Sequence, residues 1–505
     1  MAKNPQKSGR PVEQPRFHFF TNNWINDPCA PGYDPWTKTY HLFYQCNPEE
    51  CEWGNMSWGH VVSKDMLTWS LASTSPALTP DQPYDSQGVF TGCWIPPSDA
   101  EDKTSRVAYS SAIDDDNVEE WTYLGPLVDI PARFQPSKKW SGNYGINWEC
   151  TNIVTLHAGS ESRHFLIIGA EGDVEKAHVK NHDQPTGVPS RIVRGQLWMS
   201  GNLTRVDDGV RFGYEHGGYL DHGPLYAANS FVEPVSKRHI VYAWIPEEDI
   251  SLDAAKQKGW NGSLAIPREI FLLRVPNVER TLRSTLAECC PFEVKTEADG
   301  STTILTLGVK PIDEMTRLRE ECTGVVKLET AMMLPDKTGL AHLTVYQTQS
   351  SSWELEAIIS VNSECESLGF NIRHNQDLSI HTTITFCTIT ERIIVNREAS
   401  TTDTTINKYP DAGPYTLLMQ KKENGLEMEK LHLRIFSDGD ILEVFANGRF
   451  ALATMVYSQS YEQENSGIMA FANGSTGSAV FESVTVWDGL DAKERCPSIN
   501  MPSEE

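Results

Sequence analysis

The sequence predicts an all-β protein, a β-propeller followed by a β-sandwich. Between Arg16 and Leu273, short runs rich in aromatic and β-branched residues recur at a steady pace, separated by clusters of Gly, Pro, Asn and Asp. Helical periodicity is nearly absent over the same stretch. After about Val325 strands resume with clearer alternation, as in LRIFSDGDILEVFANGRFALATMVY (433–457). Strands in series without intervening helices point to antiparallel sheets, and a segment this long has to close on itself to hide its edges.

Taken in order, residues 1–16 form a polar tail and 17–275 the propeller. Its strands are read at YHLFYQC (40–46), MSWGHVVS (56–63), GVFTGCWI (88–95), RVAYSSAI (106–113), WTYLGPLV (121–128) and NWECTNIVTL (147–156). HFLIIGAEG (164–172), GQLWMSGNL (195–203), LYAANSFVEP (225–234), HIVYAWIPE (239–247) and SLAIPREIFLL (263–273) continue the series. Residues 276–324 read as a linker with one short helix, with Pro311 in its first turn, Asp313 and Glu314 early, and Ile312, Met315 and Leu318 on one face. Residues 325–490 form the sandwich, in which Asp438, Gly439 and Asp440 suit a hairpin turn. A second polar tail spans 491–505.

Composition narrows the function. Against 68 Asp and Glu stand 43 Lys and Arg, a formal net charge of −25, and the basic residues are scattered. That field repels phosphate backbones, so nucleic acid is not an expected partner. No apolar run approaches the ~18 residues of a membrane-spanning helix, so no membrane partner is expected. The opening MAKNPQKSGRPVEQPRF has no apolar core behind its basic residues, and the chain reads as cytoplasmic. The eleven Cys are irregularly spaced without a Cys-x-x-Cys pair, which reads as reduced thiols and no zinc site. Sequons begin at Asn55, Asn202, Asn261 and Asn473, a pattern short enough to arise by chance.

The first hundred residues set Trp24, Trp36, Trp53, Trp58, Trp69 and Trp94 beside Asn23, Asn26, Gln45, Asn47 and Asn55. Such a mixture suits a sugar, because indoles stack on its apolar faces and amides take its hydroxyls. Packing on blade faces accounts equally well for any single Trp. Asp27 in TNNWINDP (21–28) and Glu149 in NYGINWECTN are the two carboxyls that stand out. An Asn-Asp-Pro triplet alone is usually a turn; Glu149 lies in an apolar strand, where an unpaired carboxylate is costly. Two carboxyls meeting at the axis of a closed β structure are the minimum set for retaining glycoside hydrolysis.

WINDP (24–28), YHLFYQCNP (40–48), WGNMSWGHVVSKDMLTW (53–69), GVFTGCW (88–94), WECTN (148–152), LYAANSF (225–231), WIPE (244–247), GWNGSLAIPRE (259–269) and LEVFANGR (442–449) together resemble glycoside hydrolase family 32. This family contains the β-fructofuranosidases, invertases and fructosyltransferases; the likeness runs from about 17 to 490 and is nearest the intracellular fungal members. The resemblance implies a five-bladed propeller with an axial active site, followed by a β-sandwich. It makes Asp27 the nucleophile and Glu149 the acid/base, with a raised pKa. Asn26, Gln45, Trp53, Phe90 and Thr91 match positions that line the fructose pocket. Cys150 is expected to be a polarisable neighbour of Glu149, or simply a small buried thiol. No metal or organic cofactor is implied, and the expected partner is a small sugar such as sucrose or a fructo-oligosaccharide.

One part of the family pattern is absent. A third acid, in an Arg-Asp-Pro triplet, stabilises the transition state in the family, and no Arg-Asp-Pro occurs in this chain. The interval from Ile113 to Trp148 is too short for the outer strands of the second blade and the inner strands of the third. The bridge Asp114, Asp115, Asp116, Asn117 therefore joins what read as two half-blades into one hybrid, leaving about four in the ring. Asp129, in VDIP, follows an outer-strand pattern without the Arg and reads as a turn carboxylate. The expected activity is retaining hydrolysis of sucrose or short fructans, with fructosyl transfer to a second sugar, impaired by loss of the third acid. The alternatives are a catalytically silent fructan- or sucrose-binding relative and, third, a related glycosidase acting on arabinans.

Overall fold

The computed structural model describes residues 14–95, 106–111, 125–172, 184–206, 209–329, 331–333, 340–458, 466–475 and 477–492. Strands dominate, and the first half of the chain folds into radial sheets whose first strands meet at an axis. The first blade contains β1 (Asn23–Asp34), β2 (Thr39–Asn47), β3 (Ser57–Ser63) and β4 (Trp69–Leu71), antiparallel in sequence order. Next come β5 (Val89–Ile95) and β6 (Arg106–Ser111), a two-stranded sheet. A four-stranded blade follows from β7 (Asn147–Ala158), β8 (Glu161–Glu171), β9 (Arg194–Val206) and β10 (Gly209–Tyr219). Phe165 to Ala170 of β8 are buried without a break, as their continuous apolar run requires.

The last blade begins with β11 (Tyr226–Val232) and β12 (His239–Ile245). After β13 (Trp260–Asn261) and β14 (Ser263–Leu264) it continues through β15 (Arg268–Val275). β13 pairs in parallel with β1, joining the end of the ring to its beginning. After β16 (Val278–Thr281), β17 (Glu293–Thr296) and β18 (Thr302–Pro311) complete the blade in the order β11-β12-β15-β18-β17. Part of the segment read as a linker from 276, Glu293–Thr296 and Thr302–Pro311, is thus blade. Pairing with a strand distant in sequence makes it so, and no local pattern signals that. Pro311 ends β18 rather than opening a helix, and the helix that follows, Asp313–Glu321, is a 3₁₀ helix with Met315 and Leu318 buried.

Among the described residues there are three full blades and one two-stranded unit. Of the proposed hybrid blade, residues 112–124 lie outside the described residues. Its first half is the β5–β6 sheet, whereas the described part after residue 124 joins no sheet and Val128 makes only an isolated bridge to Phe212. Instead the irregular segment carrying Leu127, Val128, Ile130, Phe134 and Tyr144 packs on Leu166, Ile168, Leu197 and Met199, covering the blade face that a neighbouring sheet would otherwise cover.

The second half is a sandwich of a seven-stranded and a six-stranded sheet between Gly324 and Asp488. Leu355, Ala357, Phe370, Ile384, Ile435 and Val444 fill its core. Gly439 and Asp440 form the expected two-residue hairpin, with Gly439 at φ +60°. Buried ion pairs lock the sandwich to the propeller. Arg268 donates to Asp221 (2.8 Å) and to Glu443 (2.7 Å), while His18 bridges Asp438 (2.9 Å) and Glu443 (3.0 Å). All ten cysteines among the described residues are free thiols.

Candidate active site

Four inner strands, β5, β1, β11 and β7, converge on one cavity, and each carries a bulge at that level. Ile25 pairs with Cys46 and Pro28 with Tyr44, so Asn26 and Asp27 share one partner position. The same two-against-one register occurs at Phe90–Thr91 of β5, Cys150–Thr151 of β7 and Ala227–Ala228 of β11. Cys150 (φ +49°) and Ala227 (φ +53°) adopt left-handed backbone there. A bulge bends the strand and re-aims its side chains, and here it turns consecutive residues of each inner strand toward the axis. Two asparagines fix the result. Asn152 donates to Cys150 O and Ala228 O, and Asn229 donates to Pro28 O and Gly92 O.

The cavity measures about 890 Å³, and Asn26, Asp27, Gln45, Trp53, Phe90, Thr91 and Glu149 all line it. The sequence thus points to seven residues that the fold brings together, while Asp129 is exposed and lies outside the wall. Trp53 stands at the rim, 61% exposed, with its ring free to stack. Asp27 sits deep in a closed circuit of hydrogen bonds. Trp24 Nε1 donates to Asn26 (3.1 Å), and Asn26 Nδ2 donates to both Asp27 (3.1 Å) and Gln45 (2.5 Å). Gln45 then donates to Thr91 (3.2 Å), whose hydroxyl donates to Asp27. Burial pushes the Asp27 carboxyl above its ordinary range; hydrogen bonds from Thr91, Cys150 and Asn26, and the nearby Arg194 cation, pull it back.

Glu149 is not buried in its sheet; its side chain is exposed to the cavity. Its pKa is raised, first by partial burial and next by the carboxylate of Glu171, with a smaller contribution from Asp27. The Glu171 contribution comes from sheet register, since Glu171 pairs across from Asn147, whose amide donates to Glu171 (2.9 Å) and Glu149 (3.4 Å). Cys150 leans the other way from expectation. Its thiol donates to Asp27 Oδ2 (3.5 Å), because the bulge turns Cys150 into the cavity beside Glu149 instead of onto the opposite face of the strand.

Two charged residues of the wall are not among those the sequence singles out. Arg194, the first residue of β9, pairs with Glu248 (2.6 Å), and Glu248 also accepts the amide of Ile192 (3.0 Å). The guanidinium lies over the rings of Tyr226 (5.0 Å) and Trp244 (4.9 Å). The only sequence signal was the WIPE motif ending just before Glu248. Among the described residues no cluster of three potential metal ligands occurs.

Comparison with known proteins agrees with this architecture. Residues 18–124 and 98–283 match the family model "Glycosyl hydrolases family 32 N-terminal domain", and residues 314–488 match "Glycosyl hydrolases family 32 C terminal". An acid beta-fructofuranosidase of Solanum lycopersicum is 24% identical over 93% of this chain and 81% of its own. A 6(G)-fructosyltransferase of Asparagus officinalis is also 24% identical, over 93% of this chain and 86% of its own. The solved structure of Aspergillus kawachii beta-fructofuranosidase complexed with glycerol superimposes with a TM-score of 0.77 at 22% identity, covering 97% of this chain and 96% of that one. With both family models matched and both domains folded accordingly, the chain belongs to glycoside hydrolase family 32.

Proposed function

We propose that this protein is a retaining β-fructosidase acting on sucrose or short fructo-oligosaccharides, with water or a second sugar as the fructosyl acceptor. One observation carries the reading. Cys150, the residue after Glu149, donates to Asp27, so the two carboxyls of β1 and β7 face one sugar-sized cavity with a hydrogen-bonded amide floor and an exposed Trp53 at its rim. Asp27, held by three donors, attacks the anomeric carbon of the fructosyl unit. Glu149, the carboxyl placed beside a second acid, gives its proton to the bridging oxygen as that bond breaks. Glu149 then takes a proton from water or a sugar hydroxyl, whose oxygen attacks the same carbon and frees Asp27. Relatives named for hydrolysis and for transfer both support the shared first half of this cycle.

Impaired turnover is part of the proposal. The chain has no Arg-Asp-Pro, and losing an electrostatic stabiliser of that kind costs about 10²–10³-fold in turnover. Glucose and fructose release from sucrose tests the reading. Equal release means hydrolysis, and excess glucose means transfer. Glu149→Gln is expected to abolish release while sugar affinity remains. A folded wild-type chain that binds sucrose without releasing either sugar favours the second reading, a silent sucrose- or fructan-binding relative, for which the absent triplet is the supporting observation.

A further inference from the structure

Arg194 has a feature that its ion pair with Glu248 leaves unexplained. Its side chain is only 8% exposed, and its Nε donor is buried without a hydrogen-bond partner. A buried, unmatched donor of this kind is unfavourable to the folded state. The guanidinium is held on three sides, with Glu248 on Nη2 and the faces of Tyr226 and Trp244 against its plane. Of the five N–H donors of the guanidinium the Glu248 bond takes one on Nη2, and Arg194 lines the cavity wall.

Register places Arg194 relative to the chemistry. Across the third blade Glu149 lies opposite Gly169, and Gly169 opposite Gln196. The next row toward the strand ends is Asn147, Glu171 and Arg194. Asn147 and its neighbour Ile146 are exposed, so this row faces the rim, one step beyond Glu149 as seen from the recessed Asp27. In a retaining cycle the departing sugar lies on the acid/base side of the scissile bond, away from the nucleophile.

We infer that Arg194 is a sugar-positioning residue for the leaving and accepting sugar: a guanidinium N–H outside the Glu248 bond donates to a hydroxyl on that unit, with Glu248 fixing the guanidinium. This rests on the fructosidase reading and deepens it, since it assigns the group that recognises the second sugar rather than the fructosyl unit. Arg supplies donors in a rigid plane, and lysine keeps the charge but not that fork.

Intrinsic tryptophan fluorescence tests the assignment, because Trp24, Trp53 and Trp244 line the cavity. A Glu149→Gln background keeps sucrose intact, and titrations with sucrose and with fructose alone separate the two halves of the site. Adding Arg194→Lys is expected to weaken sucrose about 10-fold, the usual worth of a hydrogen bond from a charged donor, while fructose changes by less than about twofold. Glu248→Gln, which keeps an acceptor for the Ile192 amide but loosens the guanidinium, is expected to move sucrose affinity in the same direction with fructose unchanged. Equal losses for both sugars, or no loss for either, overturn the assignment. A Glu149→Gln parent that binds neither sugar overturns the fructosidase reading, and this assignment with it.

Discussion

Replacing Thr91 with Val removes one methyl-sized hydroxyl and, with it, the shortest contact to the proposed nucleophile. Asp27 takes three side-chain donors, from Thr91, Cys150 and Asn26, and these oppose a burial that drives its carboxyl upward. A hydrogen bond to a charged acceptor is worth about 1.5–3 kcal/mol, and about 1.4 kcal/mol corresponds to one pH unit. Removing the Thr91 donor stabilises only the neutral form by comparison, so the Asp27 titration moves up by about one to two pH units. Asp27 has to be ionised to attack, and the acid limb of kcat/KM for sucrose shifts to higher pH by that amount. The assay is initial glucose release across a pH series, with Thr91→Ser as the control that keeps the hydroxyl. Cys150→Ala supplies a second comparison, since a thiol at 3.5 Å is a weak donor and its loss moves the limb less. A Thr91→Val limb unmoved from wild type, with fold intact by circular dichroism, would refute the claim that this circuit holds the charge of Asp27.

Three further outcomes follow from the same structure. Glu171→Gln removes the charge that most strongly raises Glu149 after burial. Glu149 must be protonated to act as acid, so the basic limb of the pH–rate profile moves to lower pH while the acid limb stays. The buried His18 has a pKa that desolvation lowers but hydrogen bonds to Asp438 and Glu443 raise overall, to about 9 from 6.5. A raised value contributes stability that is full below the unfolded value near 6.5 and lost as pH climbs through about 9, here on the order of 3 kcal/mol. Urea unfolding between pH 6 and pH 10 should therefore show a steeper loss for wild type than for His18→Gln. Gly223→Ala places a Cβ 1.8 Å from the carbonyl oxygen of Ala453 in the sandwich, where the neighbouring His222 amide already bonds Ala451 O. Overpacking of this kind costs about 1–3 kcal/mol, read as a lowered Tm with the far-UV spectrum unchanged.

Most of the propeller strands were legible because each carries its own apolar pattern. YHLFYQC, HFLIIGAEG and HIVYAWI fall within β2, across β8 and within β12 almost as read. What stayed hidden is what depends on partners far along the chain. β17 and β18 look like linker until β18 pairs with β15 over eight positions. GPLV has the composition of a strand, but with no edge to join, Leu127 and Val128 spend it as packing on the third blade. The seven site residues were legible through their resemblance to a family, whereas Glu171, Arg194 and Glu248 reach the site by register and by a turn after β12, neither of which leaves a local signature. The turn of Cys150 into the cavity has the same origin, since a bulge is a property of two strands and is invisible in one.

The absence of the third acid can be weighed against what the cavity does contain. Glu248 is a third carboxylate on its wall, but it is committed to Arg194 and to the Ile192 amide, and the pair as a whole carries no net charge toward the reacting carbon. It also belongs with the last blade, whereas on the β5 side the described contacts to Asp27 come from Thr91 and Cys150. Those two donors withdraw charge from Asp27 instead of adding charge beside the fructosyl ring, so they favour the ionised nucleophile without stabilising an oxocarbenium-like transition state. Among the described residues the carboxylates of the wall are Asp27, Glu149 and Glu248, so the impairment proposed above rests on there being no further acid among them to act as positive charge develops. In the proposed cycle a deficit of this kind is expected in kcat rather than in KM, because the ground-state contacts proposed for Asn26, Gln45 and Trp53 do not depend on it.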